Sequence, residues 1–262
     1  MRRLLLLALA GLLLGALLPA TPASAAAKDW PWPLPWPDVD DAAATQPADA
    51  PAADLASGGT VRLGGVKVEL RARTRQVVTY NHRSGHSGRI SFWVKRKGTW
   101  HERLSATDGR IGYGGLVPRK ERRQGTGTTP LGTFGMPFAF GMHRERDAWD
   151  IRYRKVRKGD YWVQDNASDH YNRYRNKSQG GFRWWLDGEN SSERLLDYRD
   201  QYEWAIVMDF NWNQVRYRGS GIFLHVNGSG ATAGCVSAPR WFIKRVMKHI
   251  DKDKGPVIAV GR

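Results

Sequence analysis

Past residue 58 the chain is cut into short runs of β-branched and aromatic residues, and this limits the folds open to it more than any other feature. Residues 61–70 and 77–80 are such runs, and in 89–95 Ile90, Phe92 and Val94 alternate with polar neighbours at the two-residue period of a strand. Residues 100–104 can return beside 89–95 across a turn at Lys97-Gly98. Residues 202–210 (YEWAIVMDF) read as a buried strand, and 257–260 as a closing one. One stretch, 239–252, carries apolar residues at 242, 243, 246, 247 and 250, the stripe of a helix that Gly255 would end. These patterns predict a mainly β fold with a few helices. About 200 residues suffice for one domain, 58–262, with a substantial core.

What precedes that domain has a different composition. Met1-Arg2-Arg3, an apolar run over 4–18 and the small-residue site Ala23-Ser24-Ala25 predict a cleaved export signal over 1–25. The apolar run is short for a bilayer span, so no stable membrane span is expected after cleavage. Residues 26–57 begin with alternating tryptophan and proline and continue in an Asp/Ala/Pro tract. Proline at this density prevents helix and ladder formation, so an extended linker is expected.

The chain holds 41 Lys and Arg against 25 Asp and Glu, a net charge of +16. Such a field favours polyanionic surroundings. Export argues against nucleic acid and for an anionic cell envelope. The expected location is secreted, at the cell wall.

The chemistry concentrates in residues 221–240, GIFLHVNGSGATAGCVSAPR. An apolar run, 222–224, delivers His225 at its end. A permissive loop, 227–231, then leads to Thr232-Ala233-Gly234-Cys235, and Pro239 stands at the start of the helical stripe. Cys235 is the single cysteine, and an unpaired thiol in an exported protein calls for a reason. A thiol attacks as the thiolate, so it needs a base or a positive field. His225 is the candidate base, and the helix N-terminus a candidate source of field. Gly234 lets a carbonyl approach the backbone N–H groups of Gly234 and Cys235, a candidate oxyanion hole. Thr232, Asn227 and Ser237 are candidate supports; Asn227, Ser237 or a backbone carbonyl would orient the imidazole.

This segment resembles the active-site segment of the L,D-transpeptidase catalytic domain, the YkuD-type family. His225 matches the family's general base, Cys235 its nucleophile, and Thr232 and Gly234 the Ser/Thr and Gly of the nucleophile turn. The best-known members carry a second histidine where this chain has Ala233, and commonly an arginine where it has Ser237, so the motif TAGCV marks a divergent branch. Residues 125–134, GTGTTPLGTF, are similar to the family's TP-x-G-x-F segment, which implies that Pro130 fixes a turn, Gly132 relieves the backbone and Phe134 packs inward.

The resemblance implies a β-sandwich-like catalytic core and a secreted cysteine acyltransferase acting on peptidoglycan stem peptides, without metal or organic cofactor. An L,D-carboxypeptidase or cysteine peptidase would use the same pair with a different acceptor. A non-catalytic wall-binding domain would keep the fold alone.

Other features carry less. His82 and His86 have metal-like spacing without an evident third ligand. Residues 109–116 are glycine-rich but lack the Gly-Lys-Ser/Thr of a phosphate loop. Residues 142–200 are polar and aromatic with poor periodicity, which predicts a loop-rich insertion with one short helix at 192–200. Within it Asp165 and Asp169 would be the carboxylates of a glycosidase, and Tyr171 and Trp185 candidate substrate walls.

Overall fold

The computed structural model describes residues 57–144 and 149–262. The expected leader, 1–25, and the expected linker, apart from Ser57, lie outside them. Among the described residues no helix is long and apolar enough to cross a membrane.

The protein is mainly β. Its strands are β1 (Ser57–Leu63), β2 (Val66–Arg71), β3 (Gln76–Ser84), β4 (Ser87–Arg96), β5 (Thr99–Arg110), β6 (Leu116–Pro118), β7 (Thr129–Gly135) and β8 (Ala139–Gly141). There follow β9 (Tyr153–Lys155), β10 (Asp160–Trp162), β11 (Tyr174–Asn176), β12 (Glu193–Arg194), β13 (Trp204–Val207), β14 (Phe223–Val226), β15 (Val236–Ala238) and β16 (Val257–Gly261). Among the described residues one α-helix, α1 (Arg240–His249), stands between the last two strands.

Eleven strands join one mixed sheet in the order β6-β7-β16-β3-β4-β5-β15-β14-β13-β8-β9. A three-stranded sheet, β11-β10-β12, and the hairpin β1-β2 complete the layers. The region read as one strand over 61–70 is instead this hairpin, broken at Gly64-Gly65. The hairpin of β4 and β5 turns at Lys97-Gly98, as the spacing predicts. Pro130 stands within β7, opposite Val117 of the edge strand β6, and not in a turn. An edge pairing tolerates the missing N–H. Phe134, further along β7, is buried as expected.

Sequence period decides which face each residue serves. On β14, Leu224 and Val226 join a core with Ile206, Val236, Ala238 and the helical side chains Phe242, Ile243, Val246 and Met247. The apolar positions read as a stripe thus lie against the sheet. On the opposite face Phe223 and Cys235 pack with Phe140, Trp162, Leu195 and Tyr202, where the three-stranded sheet covers the main one.

The 142–200 region is built as expected from loops and short elements; within 192–200 the helix is a short 3-10 one, Leu195–Tyr198, preceded by β12. Strand β12 brings Glu193 into a ladder with Trp162.

Candidate active site

Strands β14 and β15 run parallel, with Leu224 opposite Val236 and His225 opposite Ser237. Cys235 directly precedes β15, so it lies on the same face as His225 and two rungs away. Strand rise and spacing put their Cα atoms roughly 8 Å apart. Both side chains are buried, and both line one cavity of about 760 Å³.

His225 Nδ1 lies 2.8 Å from the Val226 carbonyl oxygen. A carbonyl only accepts, so Nδ1 carries the proton and Nε2 is left as the unprotonated nitrogen. Of the candidate orienting groups, then, the backbone carbonyl holds the imidazole. The Ser237 hydroxyl instead donates to Asn227 Oδ1 at 2.7 Å, and Asn227 Nδ2 donates to the Asp108 carbonyl at 2.9 Å. Burial pulls the His225 pKa down to about 4, against the Val226 hydrogen bond. At neutral pH the ring is an uncharged base.

The Cys235 sulfur donates to the Gly221 carbonyl at 3.3 Å and accepts from the Phe223 N–H at 3.4 Å. Burial, helped by the nearby Glu193 carboxylate, pushes the thiol up to about 12; the Phe223 N–H and Arg122 act the other way. The resting site is therefore a neutral thiol beside a neutral imidazole. The positive field expected from the helix is not at this site. Helix α1 starts beyond the whole of β15, roughly 10 Å on, whereas the helix dipole acts over about one turn.

The turn before Cys235 is braced from several sides. Thr232 Oγ1 donates to the Cys235 carbonyl at 2.6 Å and accepts from the Gly234 N–H at 3.2 Å. The Gly234 N–H is thus engaged within the turn, and the Cys235 N–H is the backbone donor it leaves for an oxyanion. Thr129 Oγ1 donates to the Gly234 carbonyl at 2.7 Å and accepts from the Gly112 N–H at 2.9 Å. Thr129, the residue before Pro130, therefore braces the turn that carries Cys235. Gly234 has φ +134, and an added Cβ would lie 3.0 Å from the Thr128 carbonyl and 3.1 Å from Arg122 Nη2. No side chain fits there without movement.

Three residues that the sequence did not single out complete the cavity wall. Glu193, on β12, accepts a short hydrogen bond from the Tyr202 hydroxyl. Burial raises its carboxyl to about 7, against that bond. The Tyr202 ring stands edge-on to the His225 ring, with centroids 5.4 Å apart. Arg122, only 4% exposed, lies on the other side of the Gly234-Cys235 turn. Nothing in one dimension marks these residues, because each is a charged or aromatic residue among many.

The remaining candidates lie elsewhere. Asp165 is paired with Arg183 at 2.6 Å, while the Asp169 side chain is fully exposed; neither lines the cavity. Tyr171 is wholly buried, its hydroxyl donating to Gln124 Oε1 at 2.6 Å and accepting from the Gly219 N–H. It is a core residue and not a wall, whereas Trp185 is exposed and does line the cavity. His82 bonds the Gly85 carbonyl within its own turn. Among the described residues no three His, Cys, Asp or Glu side chains converge as metal ligands. In the glycine-rich 109–116 segment, Gly112 bridges to Thr232 and packs on the Gly234-Cys235 turn.

No family model matches the chain, and no curated protein matches it in sequence. Among solved structures it is similar to one described as the structure of Bdellovibrio bacteriovorus Bd1075, with a TM-score of 0.35 and 14% identity. The match covers 72% of this chain and 48% of that one, so this chain spans about half of that protein's length.

Proposed function

We propose that the protein is a secreted cysteine acyltransferase that acts on peptidoglycan stem peptides through a thioester on Cys235. One observation carries the reading: an imidazole held with Nε2 unprotonated and the chain's only thiol share one face of adjacent parallel strands and one cavity. The motif resemblance supplies the substrate class, and the basic surface suits an anionic wall.

In this reading His225 Nε2 takes the thiol proton as sulfur bonds to the amide carbon of the donor. The oxyanion is met by the Cys235 N–H. The C–N bond then breaks, and the departing amine takes the proton from His225. An acceptor amine, or water, next gives a proton to His225 and attacks the thioester; the C–S bond breaks and the thiol is restored. Transfer to an amine is transpeptidation, and transfer to water is carboxypeptidase action.

The test is to incubate the mature protein with stem tetrapeptides, with and without an amine-bearing acceptor peptide, and to weigh the products. Loss of the terminal residue, with a cross-linked product when acceptor is present, is expected from wild type and not from Cys235→Ala. Intact donor under both conditions would sink the reading. The second reading, a non-catalytic wall-binding domain, is favoured by the sulfur's two backbone hydrogen bonds and its raised pKa. It expects intact donor together with wall binding that survives Cys235→Ala.

A further inference from the structure

Among the described residues, Arg122 is a buried cation without a partner of opposite charge. Its Nε donates to the Thr128 carbonyl at 3.1 Å and its Nη1 to the Arg218 carbonyl at 3.2 Å, and the guanidinium lies 5.5 Å from the centre of the Phe210 ring. Among the described residues Nη2 has no acceptor, and the ionisable groups acting on the cation are Cys235, Tyr171 and Tyr113, with no carboxylate. A buried, unpaired charge is costly to keep, and a guanidinium offers five N–H donors of which two are engaged here.

Two glycines make room for it. A Cβ at Gly219, where φ is +101, would fall 1.2 Å from Nη1, and one at Gly234 would fall 3.1 Å from Nη2. The unused nitrogen therefore lies against the nucleophile turn. Ser220, between Gly219 and Gly221, supplies a second and independent sign: its hydroxyl is buried with no hydrogen-bond partner. Arg122 and Ser220 both line the cavity that holds Cys235.

We infer that Arg122 Nη2 and the Ser220 hydroxyl form a carboxylate-binding subsite beside Cys235, which receives the free carboxylate of the substrate's terminal residue. One cation and one hydroxyl match the single charge and two oxygens of a carboxylate. A phosphate would bring more charge than one guanidinium neutralises. The subsite rests on the proposed function for its substrate. It makes the protein selective for peptides with a free terminus next to the scissile bond, whatever acceptor follows.

The probes are iodoacetate and iodoacetamide, which alkylate the same sulfur and differ by a carboxylate. Their rates at Cys235 are measured by mass spectrometry and divided by their rates with glutathione. Salt of about 0.5 M screens the general positive field beyond a few ångströms. The wild-type preference for iodoacetate is expected to exceed that of glutathione roughly tenfold, and acetate should compete against iodoacetate. Ser220→Ala should lower the preference roughly threefold, and Arg122→Met should abolish it. Should Arg122→Met fail to fold, the wild-type ratio and Ser220→Ala decide.

A wild-type ratio equal to that of glutathione overturns the inference. So does a folded protein that reacts with neither reagent while the unfolded one reacts with both. Equal losses towards both reagents in Arg122→Met would make Arg122 a stabiliser of the thiolate alone, and would also overturn it. The proposed function fails separately, by intact donor peptide, and can stand with a ratio of one.

Discussion

The two faces of strand β14 are built on opposite principles. Leu224 and Val226 look into a core with Val236, Phe242, Ile243, Val246 and Met247, in which every one of these side chains is nearly or fully buried. Phe223 and His225, one residue out of phase, look to the side that holds Cys235, Tyr202, Glu193 and Arg122 around a cavity. The first face meets the ordinary requirement that apolar groups be packed. The second breaks it three times, with a carboxyl pushed to about 7, an imidazole pulled to about 4 and a guanidinium without an acid. Such burdens are tolerated where they serve chemistry. Alternation along four residues thus sets a packed apolar face back to back with a cavity lined by titratable groups.

Truncating the dry face should change stability and leave the site's chemistry alone. Phe242→Ala should cost about 3–5 kcal/mol of unfolding free energy by denaturant titration, with the alkylation rate of Cys235 per folded molecule unchanged. A matching loss of Cys235 reactivity would erase the distinction between faces.

The cavity face should show itself through pH. The Glu193 carboxyl, ordinarily near 4.5, is raised to about 7 in the folded protein, so the unfolded chain releases its proton first. Its contribution is thus fully present below about 4.5 and is lost as pH rises through 7, by ~2–3 kcal/mol. Glu193→Gln should remove that decline, measured as unfolding free energy between pH 4.5 and 8. An unchanged decline would place the burden on another group.

Thr129→Val sharpens the contrast at the turn itself. It removes the bonds to the Gly234 carbonyl and the Gly112 N–H, leaving both buried groups unmet. The expected cost is about 1–2 kcal/mol, with acylation of Cys235 slowed roughly tenfold as the turn loosens. A loss of stability with full acylation would reduce Thr129 to a packing residue.

The same contrast explains what the sequence made legible. The helical stripe at 242, 243, 246, 247 and 250 and the alternation around Ile90, Phe92 and Val94 are periodic, and a period survives in one dimension. Cys235 and His225 were legible because a strand end, a permissive loop and a glycine turn place them within one short segment. Glu193, Tyr202 and Arg122 reach the cavity from separate parts of the chain. What distinguishes Arg122 from the other described Lys and Arg residues is its burial without an acid partner, which only folding reveals. Residues 192–200 were legible in part: Leu195–Tyr198 forms a short 3-10 helix, whereas pairing with Trp162 draws Glu193 into a strand.

In the proposed function Cys235 accepts an acyl group with His225 as its base. The most direct measurement is the intact mass of the mature protein after incubation with a carbapenem, beside Cys235→Ala and His225→Ala. One β-lactam adduct is expected on wild type, none on Cys235→Ala, and formation slowed by about 10²–10⁴ in His225→Ala. An unmodified wild-type mass, with Cys235 also inert to a small neutral alkylating reagent, would contradict it and leave the thiol as a packed core residue.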